Sequence, residues 1–239
     1  RYGWIGNERT SAPSRSRKIV LRNNGIQTRH YAIDPATGRY THSNAQMAAA
    51  AVRSLARKSG FDLNRLECLC AGTSSPDLVQ PSHGLMVHGE LATPPCEVHT
   101  AAAVCTSAMS ALRYAMLNVQ TGGVRHAIST GSEFSSRYMR GRNFEPEMES
   151  LVAEMERRPE IAFEKDFLRW MLSDGAGAAL VQSQPNPDRL SLRIDWMEMV
   201  SLAGDMPVCM YSGGNKRPDG SMQYAYETED PLDIVRHGF

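Results

Sequence analysis

The chain has 239 residues, a formal net charge of zero and 41% hydrophobic residues, which suits one globular domain or two closely packed halves. Zero net charge gives no electrostatic reason to expect nucleic acid or an anionic membrane as the main partner. No apolar run reaches the ~18 residues that a membrane-spanning helix needs. The five cysteines are an odd number without a CxxC pair, which argues against a disulfide framework or structural zinc and favours a reducing cytosol.

Helical and strand patterns alternate in the first hundred residues. The serine-to-glutamine spacing of Ser43 and Gln46 is that of a capping box, and it predicts a helix that ends at Gly60. Further on, a short apolar run predicts a buried strand, a Pro-Ser pair begins a second helix, and another strand follows. The predicted bounds are residues 45–58 and 82–91 for the helices and residues 66–72 and 96–100 for the strands.

The stretch from His99 to Gln120 places a single cysteine, Cys105, between a run of small residues and a helical pattern. In that pattern the apolar residues form one stripe of an α-helix (Met109, Leu112, Met116 and Val119), and Gly122 ends the helix in a left-handed turn. A cysteine where a buried strand meets a helix lies beside unpaired N–H groups and the positive end of the helix dipole, which stabilise a thiolate. On this stretch alone, a nucleophile and a buried packing cysteine are equally supported.

The second half of the chain predicts further strands around a charged excursion. A run of small residues at 173–181 predicts a return to the core, and partial alternation at 190–200 predicts a further strand. Residues 211–239 show no packed element until a helix begins near residue 230. The other predicted segments are a strand over 124–130 and the excursion over 141–172. This order predicts α/β layers around a mainly parallel or mixed buried sheet.

Several segments occur in the order and spacing of β-ketoacyl-[acyl-carrier-protein] synthase III, a thiolase-fold condensing enzyme that this chain resembles. They are Gly72-Thr73-Ser74-Ser75, Ala101-Ala102-Ala103-Val104-Cys105, Gly131-Ser132 and Asp174-Gly175-Ala176-Gly177-Ala178-Ala179, with Asn24-Gly25-Ile26 and Arg29-His30 upstream. More narrowly, residues 18–26 and 163–174 resemble the branch that serves dialkylresorcinol and related aryl-lipid pathways.

The resemblance implies an α/β fold of the thiolase type, a layered α-β-α-β-α sandwich. Its N-terminal half would be mostly present and its C-terminal half largely missing, so that the chain is expected to be an N-terminal fragment. Residues 1–183 would form the half that carries the nucleophile, with residues 141–172 covering it. Residues 184–239 would supply a strand and the truncated start of the second half.

The resemblance also implies an activity for the intact protein. Cys105 would be acylated by an acyl thioester and then released by decarboxylative or Claisen-type carbon–carbon condensation, in fatty-acid or polyketide-type biosynthesis. Arg29 and Met109 would contact the substrate, and no cofactor or metal is expected. The family's catalytic histidine and asparagine come from the second half, so this chain is expected not to condense by itself.

Partners follow from the same resemblance. The acyl donor would be an acyl carrier protein or an acyl-CoA. A carrier protein is favoured because Ile19 stands where a tryptophan of the family stacks on the adenine of coenzyme A. The family implies a homodimer. The cysteine count favours the cytoplasm, and the zero net charge and the lack of a long apolar run predict no nucleic acid and no membrane span.

Two alternatives to a condensing enzyme stay open: a non-catalytic partner subunit of a condensing complex, and an acyl-transfer or binding module without condensation. Other candidate residues have ordinary interpretations. Asp174 is expected to orient backbone at a turn, and His83, His88 and His99 are expected at a pocket edge or in the core. The arginines at 137, 140 and 142 could face an acidic carrier protein, but a solvated loop is as well supported.

Overall fold

A computed structural model describes residues 22–140, 171–206, 214–217 and 219–224. The chain divides into two compact units. One contains residues 40–134 and 174–202, and the other contains residues 1–39, 135–173 and 203–239. The domain boundary predicted at residue 183 stays a prediction.

The first unit is built on a four-stranded mixed sheet with the order β2-β1-β3-β4. Strand β1 lies parallel to β2 on one side and to β3 on the other, and β4 lies antiparallel to β3. The strands are β1 (Cys68–Thr73), β2 (Glu97–Ala102), β3 (His126–Phe134) and β4 (Asp174–Gln182). A mixed sheet with helices was predicted, and this prediction is confirmed.

Helices cover both faces of this sheet. They are α1 (Asn44–Ser59), α2 (His83–Leu91) and α3 (Ser107–Gln120), with a short 3-10 turn at Leu63–Arg65. Helices α1 and α2 contribute Ala48, Ala49 and Val87 to a buried core with Leu69 and Ile128 of the sheet. On the opposite face, α3 packs its own set of small residues against β1 and β3 (Ala111, Ala115, Val119, Cys68, Cys70 and Ala127).

Local sequence signals set the ends of the helices. The capping box at the start of α1 is confirmed, because the side chains of Ser43 and Gln46 each accept from the other's backbone N–H. Gly60 ends this helix with φ 73°. Gly122 follows α3 with φ 76°, the left-handed conformation that glycine adopts without strain.

The other unit contains a short helix and a hairpin among its described residues. Helix α4 spans Ser136–Met139, and β5 (Gly214–Lys216) pairs antiparallel with β6 (Met222–Tyr224). The sequence did not predict this hairpin, although Gly220, with φ 85°, lies in its turn. The predicted excursion at 141–172 lies almost wholly outside the described residues, as does the helix predicted near residue 230.

Two predictions about packing are wrong, and a third holds only in part. Strand β2 is not buried: it is the outermost strand, and only Ala101 of its residues is buried. The small-residue run of β4 returns to the core only in part: Ala178 and Leu180 pack against it, whereas Gly175, Ala176 and Gly177 are exposed. Residues 190–200 form no strand, because their alternating side chains find no neighbouring strand within the described ranges.

The apolar stripe predicted on α3 is for the most part not the face that packs on the sheet, since only Val119 of its four residues is buried there. Met109 is 45% exposed, whereas Ser107, Ala111 and Ala115 are buried. Helix α3 lies too close to the sheet for large side chains, so the small residues one step round the helix make the contact. Among the described residues, no helix has both the length and the apolar character needed to cross a membrane.

Candidate active site

Cys105 lies in the loop that joins β2 to α3, two residues before the helix begins at Ser107. This loop is at the carboxyl-terminal edge of the parallel strands, where α/β folds bind their ligands. The Cys105 thiol is exposed, whereas Cys68 and Cys70 are buried side by side with their sulfurs 3.5 Å apart. A cysteine kept for packing would be buried as these two are, whereas Cys105 is accessible to solvent.

Two glycines let the first turn of α3 rest directly on the sheet. A Cβ atom at Gly72 of β1 would lie 2.3 Å from the backbone oxygen of Ser107. A Cβ atom at Gly131 of β3 would lie 2.5 Å from the Cβ of Ala108. Both distances are far shorter than real contacts between such atoms, so only glycine fits at either position. The two central strands therefore fix where α3 begins and where Cys105 lies.

The amino end of α3 has no side-chain cap. Thr106, at the cap position, has helical φ and ψ of −95° and −2°, and its side chain makes no capping hydrogen bond. The Ser107 hydroxyl instead donates back to the Val104 carbonyl at 3.3 Å. Since the N–H groups of a first turn have no acceptor within their own helix, they are available to an acceptor beside Cys105. A thiolate or the oxyanion of an acyl intermediate is such an acceptor.

The predicted substrate residues fall in different units. Met109 lies in the first turn of α3, close in sequence to Cys105, and turns away from the sheet. The next residue, Ser110, donates through its hydroxyl to the Met199 sulfur at 3.8 Å. Arg29 belongs to the other unit, where its Nη1 donates to the Thr28 carbonyl at 3.2 Å. A substrate role for either residue stays a prediction.

A carboxylate near the same sheet edge has no role in the sequence predictions. Both oxygens of Glu133 accept hydrogen bonds from the loop after β1: Ser74 donates through N–H and hydroxyl, and Ser75 through its hydroxyl, each at 2.7 Å. Part of the signal was present, since Ser74 and Ser75 belong to one segment used for the family resemblance and Glu133 directly follows another, Gly131-Ser132. It was missed because nothing local shows that side chains so far apart in sequence meet.

Of the three histidines predicted at a pocket edge or in the core, His83 is buried, and His88 and His99 are half-buried. His83 is 1% exposed, and its Nε2 lies 3.0 Å from the Ser132 hydroxyl. Burial lowers the pKa of the His83 imidazole, so the ring is neutral near pH 7. His99 stacks on the ring of Tyr114 with centroids 3.9 Å apart.

Two other candidates differ from prediction. Asp174 is buried and begins β4 opposite Phe134, in a strand and not at a turn. In the other unit, Arg140 is buried and donates to the Gly38 carbonyl at 2.8 Å, so it cannot face a carrier protein. Its neighbour Arg137 lies over the ring of Tyr138. In the ranges that the structure describes, no group of three or more His, Cys, Asp or Glu side chains is placed to hold a metal ion.

Comparison with known proteins shows which solved structures share this fold. No protein-family model matches the chain. Among solved structures, AbyA1, a tetronic acid condensing enzyme, is similar with a TM-score of 0.64 and 22% identity, over 94% of this chain and 62% of that one. The fold is that of the thiolase-type condensing enzymes.

Sequence comparison finds curated relatives that carry one common name. The β-ketoacyl-[acyl-carrier-protein] synthase III of Roseobacter denitrificans is 32% identical over 120 residues, which are 50% of this chain and 35% of the relative. The enzyme of the same name from Sphingopyxis alaskensis is 29% identical over 120 residues, 50% of this chain and 36% of the relative. Each match thus spans about a third of the curated relative's length. In sequence, the chain is similar to β-ketoacyl-ACP synthases III.

Proposed function

We propose that this chain carries the nucleophilic half of a β-ketoacyl-ACP synthase III-like condensing enzyme, in which Cys105 accepts the acyl group. One observation supports this proposal more strongly than the others do. The exposed Cys105 thiol precedes an uncapped first turn that rests on two glycine strand ends, within the fold of condensing enzymes. A thiol there is accessible, and donors for a negative charge lie next to it in the chain.

The first step is an acyl transfer between two sulfur atoms. The Cys105 thiolate attacks the carbonyl carbon of an acyl thioester, and the carbonyl oxygen becomes an oxyanion held by backbone N–H groups at the start of α3. Collapse of this intermediate breaks the bond to the donor's sulfur, which leaves as a thiol with the proton that Cys105 gave up. The acyl chain then lies against the apolar side chains of Val104 and Met109, which are both exposed.

The second step is the condensation. A carbanion formed from a second thioester, by decarboxylation or deprotonation, attacks the carbonyl carbon of acyl-Cys105 and releases the cysteine sulfur. The enolate that precedes this attack needs hydrogen-bond donors. The family resemblance assigns the role of these donors to a histidine and an asparagine. Neither has a counterpart at the matching positions within the 239 residues. We therefore expect the 239-residue chain to acylate itself slowly and not to condense.

A carrier-protein donor and an aryl-lipid product are the narrower parts of the proposal. Ile19 offers no aromatic face for the adenine of coenzyme A, and residues 18–26 and 163–174 resemble the dialkylresorcinol branch.

A homodimer is the proposed assembly, because β2 is an outer strand and an unpaired edge can pair with a second copy. A molar mass by light scattering equal to that of one chain would contradict the dimer.

The test of the central proposal is an adduct on Cys105. The chain is incubated with an acyl-ACP or an acyl-CoA, digested, and analysed by peptide mass spectrometry. We expect the acyl mass on the Cys105 peptide of the parent chain, no acyl adduct in Cys105→Ala, and an unchanged yield in Cys96→Ala, which removes a half-buried thiol. No adduct on Cys105 of the folded chain would favour the inert partner subunit instead.

Product analysis then separates condensation from acyl transfer. Addition of a malonyl thioester to an acylated protein that also contains the family's second half should give a β-ketoacyl product. Release of the acyl group to another thiol or to water, with no new carbon–carbon bond, would favour the acyl-transfer module.

A further inference from the structure

The Glu133 side chain links the carboxyl-terminal ends of the two central strands, β1 and β3. Register pairing between β1 and β3 stops at Gly72 and Gly131. Immediately beyond that point the Glu133 carboxylate accepts the N–H and hydroxyl of Ser74 and the hydroxyl of Ser75, each at 2.7 Å. The Ser75 hydroxyl oxygen in turn accepts the Phe134 N–H at 2.8 Å. Side-chain bonds to an ionised group thus continue the connection where the backbone ladder ends.

The strand ends held in this way are those on which α3 rests. Gly72 lies two residues before Ser74, and Gly131 lies two residues before Glu133. These glycines are the contact points of Ser107 and Ala108, the first two residues of α3. A change in the spacing of the two strand ends therefore moves the first turn of the helix, and with it the loop that holds Cys105.

We infer that Glu133 is a positioning residue for Cys105: through Ser74 and Ser75 it holds the strand ends that set the thiol beside the first-turn N–H groups. This inference rests on the proposed function, because it matters only if Cys105 reacts. Glu133 acts here through hydrogen bonds to the loop and not by contact with the substrate. Its loss should therefore weaken the stabilisation of the thiolate by the helix end.

The same two strands provide a matched control at their opposite ends. Glu67, directly before β1, accepts the N–H groups of Arg125 and His126 at 2.6 and 3.0 Å and the Arg125 guanidinium at 2.8 Å. It ties β1 to β3 at their amino ends, far along the strands from the Cys105 loop. Glu67→Gln and Glu133→Gln remove the same charge and comparable bonds, and only the second lies at the edge where α3 begins.

The experiment measures how fast Cys105 is alkylated by iodoacetamide between pH 6 and pH 10, peptide by peptide. In Glu133→Gln we expect the alkylation rate at pH 7 to fall about fivefold and the midpoint of its pH dependence to rise. This is the result expected when the N–H groups of a helix end no longer stabilise a thiolate. Ser74→Ala removes the hydroxyl bond to Glu133, keeps the N–H bond and leaves the carboxylate charge in place. It should shift the rate in the same direction by about twofold. Glu67→Gln should leave the Cys105 profile unchanged.

The outcomes separate positioning from charge. An unchanged Cys105 profile in both Glu133→Gln and Ser74→Ala, with the fold intact by circular dichroism, overturns the inference. A faster reaction in Glu133→Gln also overturns it, because loss of a nearby negative charge alone would favour the thiolate. If Glu133→Gln does not fold, Ser74→Ala decides. Because alkylation needs no acyl donor, a parent chain that is alkylated but never acylated contradicts the proposed function and leaves this test standing.

Discussion

At the residue scale, position in the fold separates one cysteine from its neighbours. Cys68 and Cys70 are fully buried, and the hydrogen bond between the two thiols, together with burial, raises the pKa of the Cys70 thiol. Burial also raises the pKa of the Cys96 thiol. Cys105 is exposed at a helix start. Among these four cysteines, reactivity should thus be greatest at Cys105, because of geometry and not of residue type.

Gly72 is the residue whose substitution should disturb this geometry most directly. In Gly72→Ala the new methyl group would meet the Ser107 carbonyl group at 2.3 and 2.4 Å and the Ala108 nitrogen at 2.7 Å. These are backbone atoms that cannot turn aside, so we expect a loss of at least about 2 kcal/mol in the free energy of unfolding. Urea denaturation measures this loss, and alkylation of Cys105 should slow in the same variant.

Gly89→Ala is the control for that substitution. Gly89 lies within α2, and a Cβ atom there would meet nothing within 4 Å. Alanine should stabilise this helix by about 0.5 kcal/mol. Equal effects of the two substitutions would contradict the close approach of α3 to the sheet.

At the element scale, α1 shows how a distant residue completes a locally encoded helix. Ser43 caps its first turn from within the sequence signal. Asp77, on the loop after β1, accepts the N–H groups of Asn44 and Ala45 through its two oxygens, both at 2.8 Å. One carboxylate therefore satisfies two first-turn donors and ties α1 to the loop at the carboxyl edge of the sheet.

Asp77→Ala should lower the free energy of unfolding more than Ser43→Ala does. We expect about 2 kcal/mol for Asp77, because two charge-assisted bonds to a half-buried helix end are lost, and about 1 kcal/mol for Ser43. Chemical denaturation of both variants and of the double variant measures these costs. A smaller loss in Asp77→Ala than in Ser43→Ala would show that the local cap dominates.

At the scale of the whole molecule, the segment 190–202 presents apolar side chains to solvent. Leu190, Leu192 and Trp196 are 91%, 86% and 80% exposed, and they alternate with polar residues as in a strand. Arg193 and Asp195 pair with each other at 2.6 Å. Exposed apolar side chains in such a row mark a contact site or an aggregation risk.

The double variant Leu192→Lys with Trp196→Lys should reduce self-association of the chain without loss of stability, because exposed side chains add little to the folded core. Dye binding to exposed apolar surface and concentration-dependent light scattering should both fall several-fold. Ser183→Lys with Gln184→Lys adds the same two charges at exposed positions and should change neither. If this control reduces association equally, net charge and not the apolar row is responsible.

The sequence by itself determined what depends on neighbours along the chain. The capping box and Gly60 fixed both ends of α1, Gly122 marked the end of α3, and Cys105 was placed before the first turn of a helix. These features follow from a few consecutive residues and their backbone preferences, so they could be predicted without knowledge of the fold.

Only the tertiary structure decided which side chains meet across the sheet. The packed face of α3, the outer position of β2 and the bonds of Glu133 to Ser74 and Ser75 depend on strand order and register. Neither strand order nor register is encoded in any short segment, because a shift of register by one residue, or a rotation of a helix, exchanges the buried side chains with the exposed ones. The thiol was therefore predictable from sequence, whereas its placement on two glycine strand ends, and the carboxylate that holds them, were not.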